Sequence, residues 1–130
     1  MPASYQIDKA RRLVISTASG FLTAADILAH QRKLLGDPDF DPNCSQMVDC
    51  TSVTGIHLSQ DDVREVTAAT IFSAHSRRAV LVATDEQSGF ASMFKMMREA
   101  QGEFGIRVFR DRAEALSWAL AEEQAYSKTA

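Results

Sequence analysis

The sequence predicts an α/β domain with a mixed, mostly parallel five-stranded sheet, an N-terminal antiparallel pair of strands and four helices. Short runs rich in apolar and β-branched residues alternate with longer segments whose apolar residues recur at helical spacing. Ser, Thr or Asp precedes three of the helical segments as an N-cap. Strand–helix alternation places the strands parallel through right-handed crossovers, and 130 residues are enough for one domain spanning 1–130.

The first third of the chain predicts a hairpin, a helix and a loop. Residues 5–8 and 13–18 are strand-like runs joined by a charged KARR segment, which favours an antiparallel pair. Thr23 caps the first helix in the pattern Thr-x-x-Asp, and Gly36 ends it. Residues 37–43 hold two prolines and form a connecting loop with Phe40 as its anchor.

The remaining two thirds predict three strands and three helices. Met47 and Val48 form a short strand, and Ser59 then caps a helix whose apolar stripe runs as far as Ala74. Residues 78–83 are apolar without alternation, which predicts a central strand covered on both faces. A third helix over 85–101, a last strand over 106–109 and a helix capped by Asp111 follow, and we expect residues 123–130 to be frayed.

Polar residues after the short strand at 47–48 form the first candidate site. Residues 49–57 should make a loop at the carboxyl end of the sheet, where open α/β folds bind ligands and partners. The candidates for a partner-binding or anion-binding loop are Asp49, Thr51, Ser52, Thr54 and His57. They could hold an anion at the start of the next helix. Asp, Ser and Thr are also ordinary turn formers, and we favour a turn as the explanation of this pattern.

The third helix carries the second candidate site. Four large apolar side chains form one stripe, namely Phe90, Met93, Phe94 and Met97. With Met96 at its margin, the stripe is wider than packing on a sheet requires, and methionine suits adaptable surfaces. These residues could line a pocket for a small apolar or lipid-like ligand, while plain core packing is the leading explanation.

Composition excludes several classes of function. Fourteen Lys and Arg against 17 Asp and Glu give a net charge of −3, which argues against nucleic-acid binding, and the RR pairs at 11–12 and 77–78 are expected to be solvated. No signal peptide or run of about 20 apolar residues occurs, so we expect a cytoplasmic protein without a membrane span. Cys44 and Cys50 suggest neither a zinc site nor a disulfide, and Cys50 is expected to be an inert buried thiol.

No motif of a known catalytic class occurs, so we predict no enzyme activity, no catalytic residues, no metal and no cofactor. His30 and His75 fall on polar helix positions and are expected to be surface residues. A weaker alternative is a hydrolase or transferase that uses His57 with Ser52 or Cys50, which requires contact between those side chains. Trp118 lies at the flank of the last helix, where it could seal the sheet edge or join a dimer face.

Four phrases carry a resemblance to a known family: GFLTAADIL, MVDCTSVTGI, RRAVLVA and VFRDRAEALSWAL. Together with the order of elements, they resemble the SpoIIAA-like group, meaning the STAS superfamily of anti-sigma-factor antagonists and its STAS/CRAL-TRIO-like relatives. The resemblance implies a right-handed superhelix of β-α turns. In the phosphorylatable antagonists, an Asp-x-Ser follows the strand and an Asp-Ser pair then begins the helix. Asp49 and Thr51 match the first part of this motif. The second part reads His57-Leu58-Ser59 and lacks the acidic residue, so Ser59 is interpreted as a helix cap.

The resemblance and the residues together support two hypotheses. The first is a non-enzymatic STAS-like regulatory module that docks a protein partner through its strand-end loops, as a homodimer. The alternative comes from the branch with lipid-carrier relatives, where an apolar pocket under a mobile helix binds the ligand. Residues 90–97 would be that helix.

Overall fold

The computed structural model describes residues 2–68 and 70–121, so the expected frayed tail lies outside the described residues. It confirms the predicted α/β class, with five strands and four helices in the described chain. In chain order the elements are β1 (Ala3–Asp8), β2 (Leu13–Thr23), α1 (Ala24–Leu35), β3 (Ser45–His57), α2 (Gln60–Ala68), β4 (Arg78–Leu81), α3 (Asp85–Glu99), β5 (Ile106–Phe109) and α4 (Arg112–Ala119).

The five strands form one sheet in the order β1-β2-β3-β4-β5. β1 and β2 are antiparallel, as the hairpin pattern predicts, and the other three pairings are parallel. All four residues of β4 are buried, and β4 pairs with a strand on each side. The prediction of a strand covered on both faces is therefore confirmed, but the prediction that this strand is central is wrong, because β3 is the middle strand of the sheet.

The two faces of the sheet are covered by different helices. α4 covers one face, where Leu13, Met47 and Ala79 pack against Ala115 and Ala119. On the other face α1 lies against β1 and β2, and α3 lies against β3 and β5. α2 makes its main contacts with α1 and α3, so it roofs the space between them.

The central strands extend well beyond the predicted ends. β2 continues to Thr23 and β3 to His57, and the two stay paired through register shifts near Gly20, whose φ is +70°. The prediction of a loop over residues 49–57 is wrong for this reason: the segment finds a parallel partner in the second half of β2. We call residues 19–23 of β2 and 52–57 of β3 the β2–β3 extension, since β4 ends opposite Asp49.

The helix caps follow the sequence predictions. Thr23 and Asp26 form the expected reciprocal capping box, and Ser59 and Asp62 exchange the same two hydrogen bonds. Asp111 accepts a bond from the amide of Ala113 at the start of α4. Each cap is set by residues within three positions of one another, which explains why the sequence pattern located them.

The apolar stripe predicts a helix that extends as far as Ala74, but α2 ends at Ala68. Arg98 of α3 donates to the carbonyl oxygens of Val66 and Thr67 at distances of 3.3 and 2.8 Å. A guanidinium at the carboxyl end satisfies carbonyls that would otherwise need another helical turn and complements the helix dipole. A side chain 30 residues further along the chain thus helps to end the helix.

Aromatic contacts hold the loop and the sheet edge. Phe40 anchors the loop after α1, as predicted, with its ring centroid 5.3 Å from that of Phe72. Trp118 packs 5.6 Å from Phe109 of the edge strand β5, and the guanidinium of Arg77 lies 5.3 Å from the Trp118 ring. Trp118 therefore seals the sheet edge, while a part for it in a dimer stays a prediction.

Candidate functional site

A cavity of about 490 Å³ lies between the sheet and helices α1, α2 and α3. Its volume is within the range of roughly 300–1,000 Å³ that is typical of small-molecule sites. All four residues of the predicted apolar stripe line it, namely Phe90, Met93, Phe94 and Met97. The stripe on α3 therefore borders open space as well as packed core, so plain core packing, the leading explanation from the sequence, does not describe it fully.

The sheet residues that form the floor of the cavity carry amide and guanidinium groups at one end. Gln46 and Arg78 are register partners at the amino ends of β3 and β4, and Ser16 lies one row further along the same face. Towards the carboxyl ends the lining changes to Cys50 and Val53. Because parallel strands share a direction, the polar groups collect at one end of the cavity floor.

Ser16, His30 and Gln46 form a hydrogen-bonded network on the cavity wall. The Gln46 Nε2 group donates to Ser16 Oγ at 3.0 Å, and Ser16 Oγ lies 3.1 Å from His30 Nε2. Because the Ser16 oxygen accepts from Gln46, its proton is available for a neutral His30 ring. The Tyr5 ring packs edge-on against His30 with centroids 5.6 Å apart. His30 is half-buried, so the prediction of a solvated surface histidine is wrong.

Burial lowers the pKa of His30 below its ordinary value, and Lys33 adds to the effect. As the pH falls, His30 therefore takes up a proton in the unfolded chain before it does so in the folded protein. The contribution of neutral His30 to the free energy of unfolding is fully present above about pH 6.5 and is lost as the pH drops through the folded-state pKa. We expect wild type to lose stability between pH 7 and 5 relative to His30→Gln, by at most about 1.4 kcal/mol per pH unit. Urea unfolding at a series of pH values measures this difference.

The exposed His75 provides the control for that prediction. His75→Gln should keep the wild-type pH dependence of stability, since the residue lies outside the cavity and its wall. Parallel stability curves for wild type and His30→Gln over the same pH range would contradict the assignment of a buried, neutral His30. Asp49 and the other carboxyls with lowered pKa values act only below about pH 4, so they do not obscure the test.

Three buried charged residues lie beside the polar end of the cavity. Arg78, Arg98 and Glu103 are 6%, 2% and 3% exposed. Arg78 Nη2 donates to Glu103 Oε1, and Arg98 Nη1 donates to Glu103 Oε2 at 3.3 Å. The prediction that the RR pair at 77–78 is solvated is therefore wrong for Arg78. Both arginines line the cavity, and burial lowers the pKa of each against the opposing charge of Glu103.

The buried polar atoms of the cavity lining that have no hydrogen-bond partner among the described residues include Gln31 Oε1 on α1 and Arg78 Nε on β4. Buried polar groups in folded proteins are nearly always paired, and each unpaired group costs about 1–3 kcal/mol. Such atoms in residues that line a cavity indicate where a bound molecule could supply the missing partner.

The predicted binding-loop residues lie in β3. Asp49 points to the α4 side of the sheet, where its carboxylate accepts from the Thr51 amide at 2.9 Å and from Arg112 Nη1 at 3.1 Å. Burial raises the pKa of Asp49, but the bonds from Thr51 and Arg112 outweigh it and the net pKa is lowered. The other four residues are exposed along the strand: Thr51, Ser52, Thr54 and His57. Thr54 also borders the cavity.

The geometry required for the hydrolase alternative does not occur at these positions. Ser52 and His57 are five residues apart in one strand, which separates them by roughly 16 Å. Cys50 lies further still from His57, and burial, with Asp49 adding to it, raises the pKa of the Cys50 thiol to about 11. A thiol with that pKa is protonated at neutral pH, as expected of an inert cysteine.

Within residues 2–68 and 70–121, no group of three or more His, Cys, Asp or Glu side chains is arranged to bind a metal ion. Within the same ranges, every helix is too short or too polar to span a bilayer.

The polar residues of the cavity were missed by sequence reasoning, although two signals for them exist. Gln46 and Arg78 interrupt the starts of two apolar strands on the same face. Arg98 falls four residues after Phe94 and so continues the apolar stripe of α3. A charged or amide side chain within a core-facing pattern predicts a buried partner or a ligand contact, and here it marks the cavity's polar end.

A mixed sheet of order β1-β2-β3-β4-β5, with one face under a single helix and the other under three, defines this chain as an α/β protein of the SpoIIAA-like fold. The crystal structure of an uncharacterized protein from the DUF3478 family, from Shewanella loihica PV-4, is described as having this fold and superposes with a TM-score of 0.62. The two are 18% identical over 90% of this chain and 93% of that one. No family model and no curated protein matches the sequence.

Proposed function

We propose that this protein binds one small apolar or lipid-like ligand in the cavity beneath α2 and α3. The observation that carries the proposal is the cavity of about 490 Å³, lined by Phe90, Met93, Phe94 and Met97. Protein interiors pack as densely as organic crystals, and voids much larger than a water molecule are few. A space of this size corresponds to at most about 16 water volumes of roughly 30 Å³ each, so it is well beyond a packing defect.

The shape of the site also supports a ligand-binding function. Methionine has three rotatable bonds and a polarizable sulfur, so Met93 and Met97 can adapt to chains of different shape. Met93 is 40% exposed, which places part of the lining near solvent. Because α2 roofs the space mainly through α1 and α3, a movement of α2 would open a path for the ligand without breaking the sheet.

Native mass spectrometry of the freshly purified full chain tests the proposal first. We expect a retained small-molecule adduct and, after delipidation, a rise in melting temperature with myristic acid or myristyl alcohol. A ligand at 100 times its Kd stabilises the folded state by about 2.7 kcal/mol. Met97→Trp should reduce the rise, since the indole occupies part of the cavity.

Met96→Trp is the matched control for that experiment. Met96 lies on the same helix but is 69% exposed and does not line the cavity, so this variant should bind like wild type. Absence of an adduct together with unchanged melting temperatures for both probes would overturn the proposal. So would an equal response of Met97→Trp and wild type.

Docking of a protein partner is a second candidate function, and an exposed aromatic residue favours it. Phe21 of the β2–β3 extension is 60% exposed and its ring lies over Gly55, beside the exposed side chains of Ser52 and His57. Large aromatic residues are typical anchors of protein interfaces. Capture of a partner from cell extract should be lost in Phe21→Ala, Ser52→Ala and His57→Ala, and kept in Phe104→Ala, whose exposed ring lies elsewhere. The homodimer expected from the sequence is testable by sedimentation.

A further inference from the structure

We infer that the ligand is a long-chain carboxylate whose headgroup binds at Arg78, with its chain running along the sheet towards Val53 and Phe90. This inference rests on the proposed function and adds the chemical class and the orientation of the ligand. Three observations carry it: the charge balance of the buried cluster, the Nε group of Arg78, which has no partner among the described residues, and the change from polar to apolar residues along the sheet floor of the cavity.

The buried cluster holds two positive charges against one negative charge. Glu103 is shared by Arg78 and Arg98, and the side chains of all three are 7% exposed or less. Charges taken out of water are tolerated when each is paired and hydrogen-bonded. One additional anion at this point would balance the cluster, and a ligand carboxylate supplies one negative charge.

Arg78 makes fewer hydrogen bonds to the described residues than Arg98 does, so we assign the ligand headgroup to Arg78. Arg98 already donates to the carbonyls of Val66 and Thr67 and to Thr70 Oγ1, so it serves the end of α2. Arg78 Nη2 donates to Glu103, while Nε, also buried, has no partner among the described residues. A carboxylate oxygen is a strong acceptor for a guanidinium N–H, and the bond strengthens away from water.

The remainder of the cavity fits a single hydrocarbon chain. Gln46 lies beside Arg78 across the sheet, and the lining becomes apolar from Val80 towards Cys50 and Val53. Glu86 borders the cavity from the first turn of α3, near the carboxyl ends of the strands, and its charge would repel a carboxylate placed there. A cavity of about 490 Å³ has room for one chain of myristate length.

Myristic acid and myristyl alcohol provide the test, because they share a chain and differ in headgroup charge. With delipidated full-length protein, calorimetric titration should show wild type binding the acid at least tenfold more tightly than the alcohol. Arg78→Met should reduce that preference to about threefold or less and leave the affinity for the alcohol nearly unchanged. Arg78→Met leaves Glu103 paired with Arg98, so the cluster in this variant is electrically balanced.

Arg107→Met is the matched control, since Arg107 lies over Phe109 and Trp118 on the α4 side of the sheet and does not line the cavity. It should keep the wild-type preference for the acid. Equal binding of acid and alcohol by wild type, or an unchanged preference in Arg78→Met, would overturn the inference and leave the proposed function standing. Failure of both probes to bind would overturn the proposed function itself.

A measurement on wild type alone covers the case in which Arg78→Met does not fold. The carboxyl carbon of bound, ¹³C-labelled myristate is followed by NMR as the pH is lowered. A carboxylate against Arg78 should have a pKa below about 4, because the adjacent guanidinium favours the charged form, whereas a pKa at or above the ordinary value of about 4.3 would count against the contact. Protonation above pH 5 would indicate a headgroup in apolar surroundings and would refute the assignment to Arg78.

Discussion

Replacing Glu103 with alanine is expected to lower the free energy of unfolding by about 3–5 kcal/mol, the usual cost of removing one partner from a buried ion pair. Glu103 is 3% exposed and accepts hydrogen bonds from Arg78, Arg98 and Thr70. Without it, two buried guanidinium groups would lose the carboxylate that they share. Urea unfolding followed by circular dichroism measures the loss.

Glu99→Ala is the matched control for the Glu103 experiment. Glu99 pairs with Lys95 at 3.0 Å one turn away on α3, where both side chains are about one-third exposed. Partly solvated pairs of this kind are worth about 0–1 kcal/mol, so the control should cost far less. The double variant Arg78→Met with Glu103→Ala should be more stable than the sum of the single changes predicts. Simple additivity, or a loss below about 1 kcal/mol for Glu103→Ala, would contradict the shared ion pair.

Elements defined by local chemistry were predictable from the sequence. Thr23 and Ser59 each cap a helix through an acidic residue three positions later, and β5 has the predicted bounds, Ile106–Phe109. The burial of β4 could be predicted because apolar residues in an unbroken run have no solvent-facing side. In all these cases the information lies within a few residues of the element.

The extension of β3 could not be predicted in the same way. Asp49, Thr51 and Gly55 are typical turn formers, and the bond from the Thr51 amide to Asp49 is indeed local. The strand continues nevertheless because residues 19–23 pair with residues 52–57, over 30 positions along the chain. Pairing over that separation depends on the whole fold and outweighs local preference.

The same distinction between local and long-range information applies to the candidate site. Helical periodicity located Phe90, Phe94 and Met97 on one face, and that face borders the cavity. The polar end was missed because Arg78 and Glu103 are 25 residues apart, and no spacing rule joins them. His30 was assigned to the surface because its partner Ser16 belongs to another element. Periodicity identifies a face of a helix, whereas a buried polar network is recognised only when its partners are brought together.

Gln87→Ala is expected to lower the free energy of unfolding by about 2–4 kcal/mol. The reason is that each buried hydrogen-bonding group left without a partner costs roughly 1–3 kcal/mol. Among the described residues, no strand pairs with β3 beyond Asp49 on the β4 side, and Gln87 Nε2 donates there to the carbonyls of Thr51 and Val53 at 3.2 and 2.9 Å. Gln87 Oε1 accepts from the amides of Ala83 and Thr84 at the start of α3. One amide side chain therefore joins the free edge of β3 to α3.

The readout that separates this bridging role from a general loss of packing is local hydrogen exchange. In Gln87→Ala, the amides of Ala83 and Thr84 and those of the β2–β3 extension should exchange faster, while the amides of β1 should change only through the drop in global stability. Gln101→Ala removes an exposed glutamine just after the same helix and should alter neither stability nor exchange. If amide hydrogen exchange in Gln87→Ala became uniformly faster across the sheet, Gln87 would contribute through packing alone. Only a bridging side chain confines the faster exchange to the two segments that it joins.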